Sequence, residues 1–191
     1  MKYNTIILSV LLANSAFASD MNVTQSLPVK KEGIKYIKML GGALKGELQA
    51  QMKADKTGLA ALGFCTAKAN EITVAVNKKL PEYAKVRRTA LKIRNHTDNA
   101  PDALDRKIMK EYAAAIENKT FSPKDIKVVK EGNVSRVYKP LISKQVCLKC
   151  HGSNISKAIQ KAITTAYPHD QAVNFKEGSL RGVIVAELKN H

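Results

Sequence analysis

The chain has 191 residues, enough for one domain with a proper core, and 45% of them are hydrophobic. It is strongly basic, with 32 Lys and Arg against 16 Asp and Glu and a net charge of +16 at pH 7. The lysines are scattered and lack the interleaved aromatic residues of a single-strand binder, so we expect no nucleic-acid partner. The charge is typical of a solvated surface. It would also steer the protein towards an acidic redox or signalling partner, or towards an anionic membrane face.

Residues 1–18 have the pattern of a cleavable signal peptide. Lys2 gives the positive start, Ile6–Leu12 gives the apolar core, and Ala16 and Ala18 are the small residues before the cleavage point. This apolar stretch is too short to cross a bilayer, and no later stretch approaches that length, so we expect no membrane span. The pattern predicts an exported, periplasmic protein.

The mature chain divides into an N-terminal extension, 19–29, and one domain, 30–191. Apolar residues recur at helical spacing over Glu32–Ala54, which predicts a long first helix. Lys56–Gly58 allows a break, and a second helix is predicted over Leu59–Lys79, before a proline.

The second half of the domain mixes strands and helices. Tyr83–Ile93 is strand-like, and Pro101 followed by Asp102 predicts the start of a helix. Residues 126–138 predict a hairpin turning at Glu131-Gly132-Asn133, followed by a short helix near 155–165 and a closing strand over 182–188. The predicted fold class is therefore α+β, an antiparallel sheet flanked by helices, with long helices at the N-terminus.

Cys147, Cys150 and His151 form a Cys-x-x-Cys-His motif, the attachment signature of c-type haem. Two thiols at this spacing reach the two vinyl groups of one porphyrin, and the following histidine lies under the iron as an axial ligand. A thioredoxin-like pair or half of a zinc site would share the first two residues. A zinc site needs a second Cys/His pair, and the one other cysteine is Cys65. The motif and the signal peptide together predict one covalent haem c, held through Cys147 and Cys150 with His151 on the iron.

Cys65 has no cysteine left to pair with in an oxidising compartment. Ala69, Ile72 and Val76 follow it at the spacing of one helix face, so we expect the thiol to point inward. Two interpretations stay open. Cys65 is either a buried cysteine acting as a small hydrophobe or the second axial ligand of the iron, because Fe(III) favours a thiolate.

Other side chains also offer a sixth ligand, and an open sixth position is a further alternative. Three methionines fall on predicted helices, and among the histidines His96 is the more serious alternative. The rival residues are Met39, Met52, Met109, His96, His169 and His191.

Several short motifs occur in a characteristic order along the chain, from 64 to 182. They are Phe64-Cys65, Val86–Lys92, Arg94-Asn95, Asn99–Asp102, Tyr138–Leu141, Cys147–Gly152, Tyr167–Asp170 and Gly178–Gly182. In this order they resemble the exported single-haem c-type domain with a PAS-like fold, a family first catalogued as a domain of unknown function. The resemblance covers about residues 30–190, almost the whole mature chain.

The resemblance implies a PAS-like sheet flanked by helices and holding one covalent haem. It also implies His/Cys axial ligation, with His151 and Cys65 as the metal ligands. By charge alone, Arg88 and Arg94 are candidates to pair with the haem propionates. Because a thiolate stabilises Fe(III), the reduction potential should be low, and reduction could release Cys65 and admit a small gas to the iron.

Two function classes follow from these expectations. One is an electron carrier, and the other is a redox or gas sensor, which needs a structural change and a partner that detects it. An enzyme is not expected, because the sequence contains no catalytic constellation beyond the haem.

Overall fold

The computed structural model describes the backbone of residues 17–189 and the side chains of residues 27–189. It contains a four-stranded antiparallel sheet with strand order β1-β4-β3-β2. The strands are β1 (Ala84–Thr89), β2 (Lys127–Glu131), β3 (Val134–Ile142) and β4 (Leu180–Lys189). The helices are α1 (Phe17–Ala54), α2 (Leu59–Ala67), α3 (Ala69–Asn77), α4 (His96–Asn99), α5 (Ala103–Glu117), α6 (Leu148–His151) and α7 (Lys157–Ala166). The α+β fold class is confirmed.

Helix α1 packs on one face of the sheet. Its residues Tyr36, Ile37 and Leu40 are buried in one cluster with Val137 and Ile184 of the central strands. Gly33 makes this close approach possible, because a Cβ atom there would lie 2.4 Å from a methyl carbon of Val137. The helix runs through residue 30, and the proposed division between extension and domain stays a prediction, as does the signal peptide. Residues 1–16 lie outside the described residues.

Helix α5 covers the opposite face and begins where the sequence predicted. The side chain of Asp102 accepts a hydrogen bond from the Asp105 backbone N–H, and the side chain of Asp105 accepts one from the Asp102 backbone N–H, which forms a capping box. Asp105 is fully buried and also accepts two hydrogen bonds from Arg87, at 2.8 and 3.0 Å, and one from Tyr138. This paired carboxylate ties the start of α5 to β1 and β3.

The predicted hairpin is confirmed as β2–β3, with Glu131 paired to Val134 across the turn. Gly132 adopts φ +57°, the left-handed conformation that glycine allows without strain. The closing strand is also confirmed. It lies in the centre of the sheet as β4, between β1 and β3.

The single second helix predicted over Leu59–Lys79 is wrong, because the chain breaks at Lys68 into α2 and α3. The two helices meet at an angle of 44°. Taken alone, no helix of the described residues has the length and apolar character to cross a membrane; this bent pair meets those two requirements by length and composition only. Ala61, Leu62 and Phe64 of α2 are buried against the rest of the chain.

Candidate haem site

The Cys-x-x-Cys-His motif lies in a tight helical segment that directly follows β3. A 3₁₀ turn ends at Cys147, and α6 carries Cys150 and His151. Helical geometry places residues three apart on the same side, so both thiols face one region. Both are free and half-buried. Gly152 ends α6, and a Cβ atom there would lie 2.6 Å from the Leu148 carbonyl oxygen, so the tight turn requires glycine.

His151 is held by a hydrogen bond of 2.7 Å between its Nδ1 and the carbonyl oxygen of Ala172. A carbonyl only accepts, so Nδ1 carries the proton and Nε2 keeps a free lone pair. Burial lowers the pKa of His151 well below its usual value, and the nearby guanidinium groups of Arg181 and Arg94 lower it further. The imidazole is therefore neutral, and the lone pair of Nε2 is available to a metal ion. Phe175 packs edge-on against the ring, with the centroids 6.1 Å apart.

Arg94 joins the motif to the segment that carries Ala172. Its Nη2 donates to the carbonyl oxygens of Cys150 at 2.7 Å and Ala172 at 3.2 Å. Its Nε and Nη2 also donate to both carboxylate oxygens of Asp170, at 3.1 and 3.0 Å. The side chains of Arg94 and Asp170 are only 9% and 7% exposed. A buried pair with two parallel hydrogen bonds fixes both segments in place.

Cys65 lies on α2, and its side chain is exposed, so the expectation of an inward-pointing thiol is wrong. The expectation assumed one continuous helix, whereas the break at Lys68 separates Cys65 from the buried Ala69 and Val76. The surrounding protein still raises the pKa of the thiol by desolvation. The thiol is thus accessible to solvent and still partly desolvated by the protein around it.

Electrostatic interactions place Cys65 beside the motif. The Cys65 thiol lies within range of the charge of Arg88 and Arg94, and it raises the pKa of Cys150 after the larger effect of burial. The carbonyl oxygen of Cys65 also lies 3.5 Å from the hydroxyl of Tyr167. The structure thus brings together residues that are more than 80 positions apart in the sequence. All four sequence-predicted site residues, Cys65, Cys147, Cys150 and His151, lie in one region.

Three of the rival ligands, Met109, Met39 and His96, have contacts of their own. Met109 is fully buried under α5, with Tyr138 and Val183. Met39 packs against the core under α1. His96 is exposed, and its Nε2 lies 3.0 Å from the carbonyl oxygen of His169. Met52 lies near the end of α1 and is partly exposed, His169 is exposed, and His191 lies outside the described residues.

Within residues 27–189, no three His, Cys, Asp and Glu side chains are grouped closely enough to hold a metal ion. A haem iron needs only two protein ligands, since the porphyrin supplies the rest. Cavities of about 410 and 550 Å³ flank the region, one lined by Phe175 and Arg181 and the other by Thr66 and Asn95. Neither is lined by the motif.

Sequence reasoning gave no role to several residues that build the site. Asp170, Ala172 and Phe175 lie in the loop between α7 and β4, and Arg181 lies at the start of β4. Two of them fall within the short motifs Tyr167–Asp170 and Gly178–Gly182, which carried the resemblance without a function. Their contacts with Arg94 and His151 span large sequence separations, so no local signal could identify them.

Comparisons with known proteins agree on one family and one fold. The sequence model of a family described as Tll0287-like matches residues 6–188. The crystal structure of the cyanobacterial haem-protein Tll0287 is similar, with a TM-score of 0.53 and 21% sequence identity. The similarity covers 94% of this chain and 98% of that chain, and it shows a shared fold. No curated protein sequence matches the chain.

Proposed function

The chain belongs to the Tll0287-like family, and from that premise we propose that it is a periplasmic monohaem c-type cytochrome. In this proposal one haem c is attached through Cys147 and Cys150, with His151 and Cys65 as the axial ligands. The protein acts in redox or gas sensing or in electron transfer, without an enzymatic activity of its own. Export rests on the signal-peptide pattern of residues 1–18, and haem binding is supported by the name of the similar crystal structure.

The residues present fit a covalent haem. Two free thiols face one region. The neighbouring His151 presents an unprotonated Nε2, because its Nδ1 donates a hydrogen bond to the carbonyl oxygen of Ala172. This orientation of His151 is the observation that carries the proposal, because haem-ligating histidines are held in the same way by a carbonyl on the other ring nitrogen. When bound, haem c supplies a one-electron Fe(III)/Fe(II) couple and an axial position for a small molecule.

Cys65 is the better candidate for the second ligand. Its thiol is exposed on the surface that carries Arg88 and Arg94, whereas Met109 is enclosed in the core. The positive charge of the arginines offsets part of the desolvation that raises the pKa of the Cys65 thiol, and a thiolate stabilises Fe(III). The simple electron carrier with a histidine or methionine ligand is therefore the weaker alternative.

Attachment is tested by maturing the protein in cells that assemble c-type cytochromes. Intact mass and the pyridine haemochrome spectrum should show one covalent haem per chain. The double variant Cys147→Ala with Cys150→Ala should carry no covalent haem. Loss of that signal with a folded chain supports the proposal. A wild-type protein without covalent haem would overturn it.

Ligation is tested by low-temperature EPR of the oxidised protein. Wild type should show a low-spin thiolate signal that disappears in Cys65→Ala and persists in His96→Ala, the matched control. A spectrum that is unchanged in Cys65→Ala would show that Cys65 is not an axial ligand.

Whether the protein is a sensor or an electron carrier is tested with the reduced protein and CO. A sensor in which Cys65 is released on reduction should bind CO, and Cys65→Ala should bind it faster. A reduced protein that stays six-coordinate and refuses CO favours electron transfer to an acidic partner protein, consistent with the net charge of +16.

A further inference from the structure

Arg87 and Arg88 are neighbours on β1 but face opposite sides of the sheet, since strand residues alternate. Arg87 faces α5, where it pairs with Asp105 and Glu187. Arg88 faces the other side, with the buried Val86, and lies within electrostatic range of Cys65. One face of β1 is thus electrically balanced, and the other is not.

The guanidinium of Arg88 is half-buried, and its Nε atom is fully buried with no hydrogen-bond partner among the described residues. A buried polar atom without a partner costs free energy, and a buried charge costs more. Such a group in a folded protein needs an explanation, and a bound anion is one.

Arg181, at the start of β4, is in a similar state. Burial lowers its pKa to about 10, and Arg94 lowers it as well. The guanidinium lies over the ring of Phe175, 5.2 Å from its centroid, and makes only a long hydrogen bond of 3.4 Å to the Lys92 carbonyl. Phe175 in turn contacts His151, so Arg181 is one side chain away from the proposed axial ligand.

Arg94 differs from both. Asp170 balances its charge, and its Nη2 also donates to two backbone carbonyl groups. The ion pairs of the described residues include Arg94 but neither Arg88 nor Arg181. Two guanidinium groups without an ion pair among the described residues therefore remain on the surface shared by Cys65 and His151, and Arg94 is not one of them.

We infer that Arg88 and Arg181, rather than Arg94, bind the two propionate carboxylates of the haem. The inference rests on the proposed covalent haem, whose propionates are its only anionic groups. The match is one of charge and number, two carboxylates for two unpaired guanidinium groups, each able to donate two parallel hydrogen bonds. Arg94 instead positions the motif.

The test uses the full-length haem-loaded protein with Arg88→Gln and Arg181→Gln. Arg106→Gln, an exposed arginine on α5, is the matched control for loss of one positive charge. Haem content by mass and pyridine haemochrome comes first, because it reports on the proposed function alone. Resonance Raman spectra then follow the propionate bending bands, and potentiometric titrations give the midpoint potential against pH.

Each of the two variants should shift a propionate bending band and lower the midpoint potential, because a lost positive charge favours the oxidised iron. Without its arginine a propionate should also protonate at higher pH, so the potential should rise as the pH falls between about pH 8 and pH 5. Arg88→Lys and Arg181→Lys should restore the potential but not the Raman band, since lysine keeps the charge and loses the two-pronged geometry.

Normal haem content with Raman bands and a pH profile identical to those of Arg106→Gln would overturn the inference while leaving the proposed function intact. Absence of covalent haem from the wild type would overturn the proposed function instead. If a glutamine variant fails to fold, the lysine variant still decides the question through its Raman band.

Discussion

Replacing Asp170 with asparagine removes the one charge that balances Arg94 beside the haem motif. The substitution keeps the size of the side chain and one oxygen that can accept from the Ala172 backbone N–H, a bond of 2.8 Å in the wild type. It removes the negative partner of two hydrogen bonds from Arg94. What remains is a buried guanidinium held only by carbonyl groups.

The magnitude follows from burial. Both side chains are less than one-tenth exposed, so solvent screens the pair weakly. Breaking a buried pair by removing one partner typically costs about 3–5 kcal/mol, and the retained carboxamide oxygen places Asp170→Asn at the lower end, about 3 kcal/mol. Arg94→Gln loses the carbonyl contacts as well and should cost more. The double variant should cost clearly less than the sum of the two single changes, because the partners interact directly.

The assay is urea unfolding of the purified protein followed by far-UV circular dichroism. Glu71→Gln is the matched control, since it breaks an exposed pair with Lys68 whose side chains are 65% and 62% exposed. That pair should be worth less than about 1 kcal/mol. An Asp170→Asn effect as small as the Glu71→Gln effect, or strict additivity in the double variant, would refute the reasoning about the buried pair.

Two further predictions concern the helices that carry the ligands. Hydrogen bonds from the backbone of Ala60 and from Thr57 lower the pKa of Asp55 to about 2, so its ionised form stabilises the start of α2 above about pH 4, and this is lost as the pH falls towards about 2. Wild type and Asp55→Asn should therefore differ in urea midpoint at pH 5 and converge in acid; a constant difference would contradict this. Gly152→Ala should destabilise the protein by about 1–3 kcal/mol and reduce the haem content, because the added carbon meets a carbonyl oxygen. Gly46→Ala, where a Cβ atom meets nothing within 4 Å, should instead stabilise α1 by about 0.5–1 kcal/mol; a loss of haem content in this variant as well would refute the steric argument.

The elements with local signals were predicted correctly from the sequence. The start of α5 is set by a capping box within four residues, and the β2–β3 hairpin by a glycine that adopts a positive φ. The break at Lys68 has no such signal, because neither proline nor glycine occurs there and packing decides the direction of the chain. Treating α2 and α3 as one helix then placed Cys65 on the wrong face.

In the candidate site, too, the residues with a local sequence signal were predicted and those brought in by long-range contacts were not. The thiols and His151 lie within five residues, and their spacing alone predicts the chemistry. The contact between Arg94 and Asp170 spans 76 positions, and the hydrogen bond that fixes His151 spans 21. A pattern within a window of the sequence cannot identify partners at such distances, and only the assembled sheet and loops bring them together.

The two proposed axial ligands are held very differently. The Nδ1 of His151 is hydrogen-bonded to the carbonyl oxygen of Ala172, and its own carbonyl oxygen accepts from the backbone N–H of Phe175. The carbonyl oxygen of the neighbouring Cys150 accepts a hydrogen bond from Arg94. Cys65 is an exposed residue on a nine-residue helix that ends two residues later at a bend. A change of ligation with iron oxidation state would therefore occur on the Cys65 side, where few contacts have to break. Under the proposed ligation, this asymmetry favours the sensor over the electron carrier.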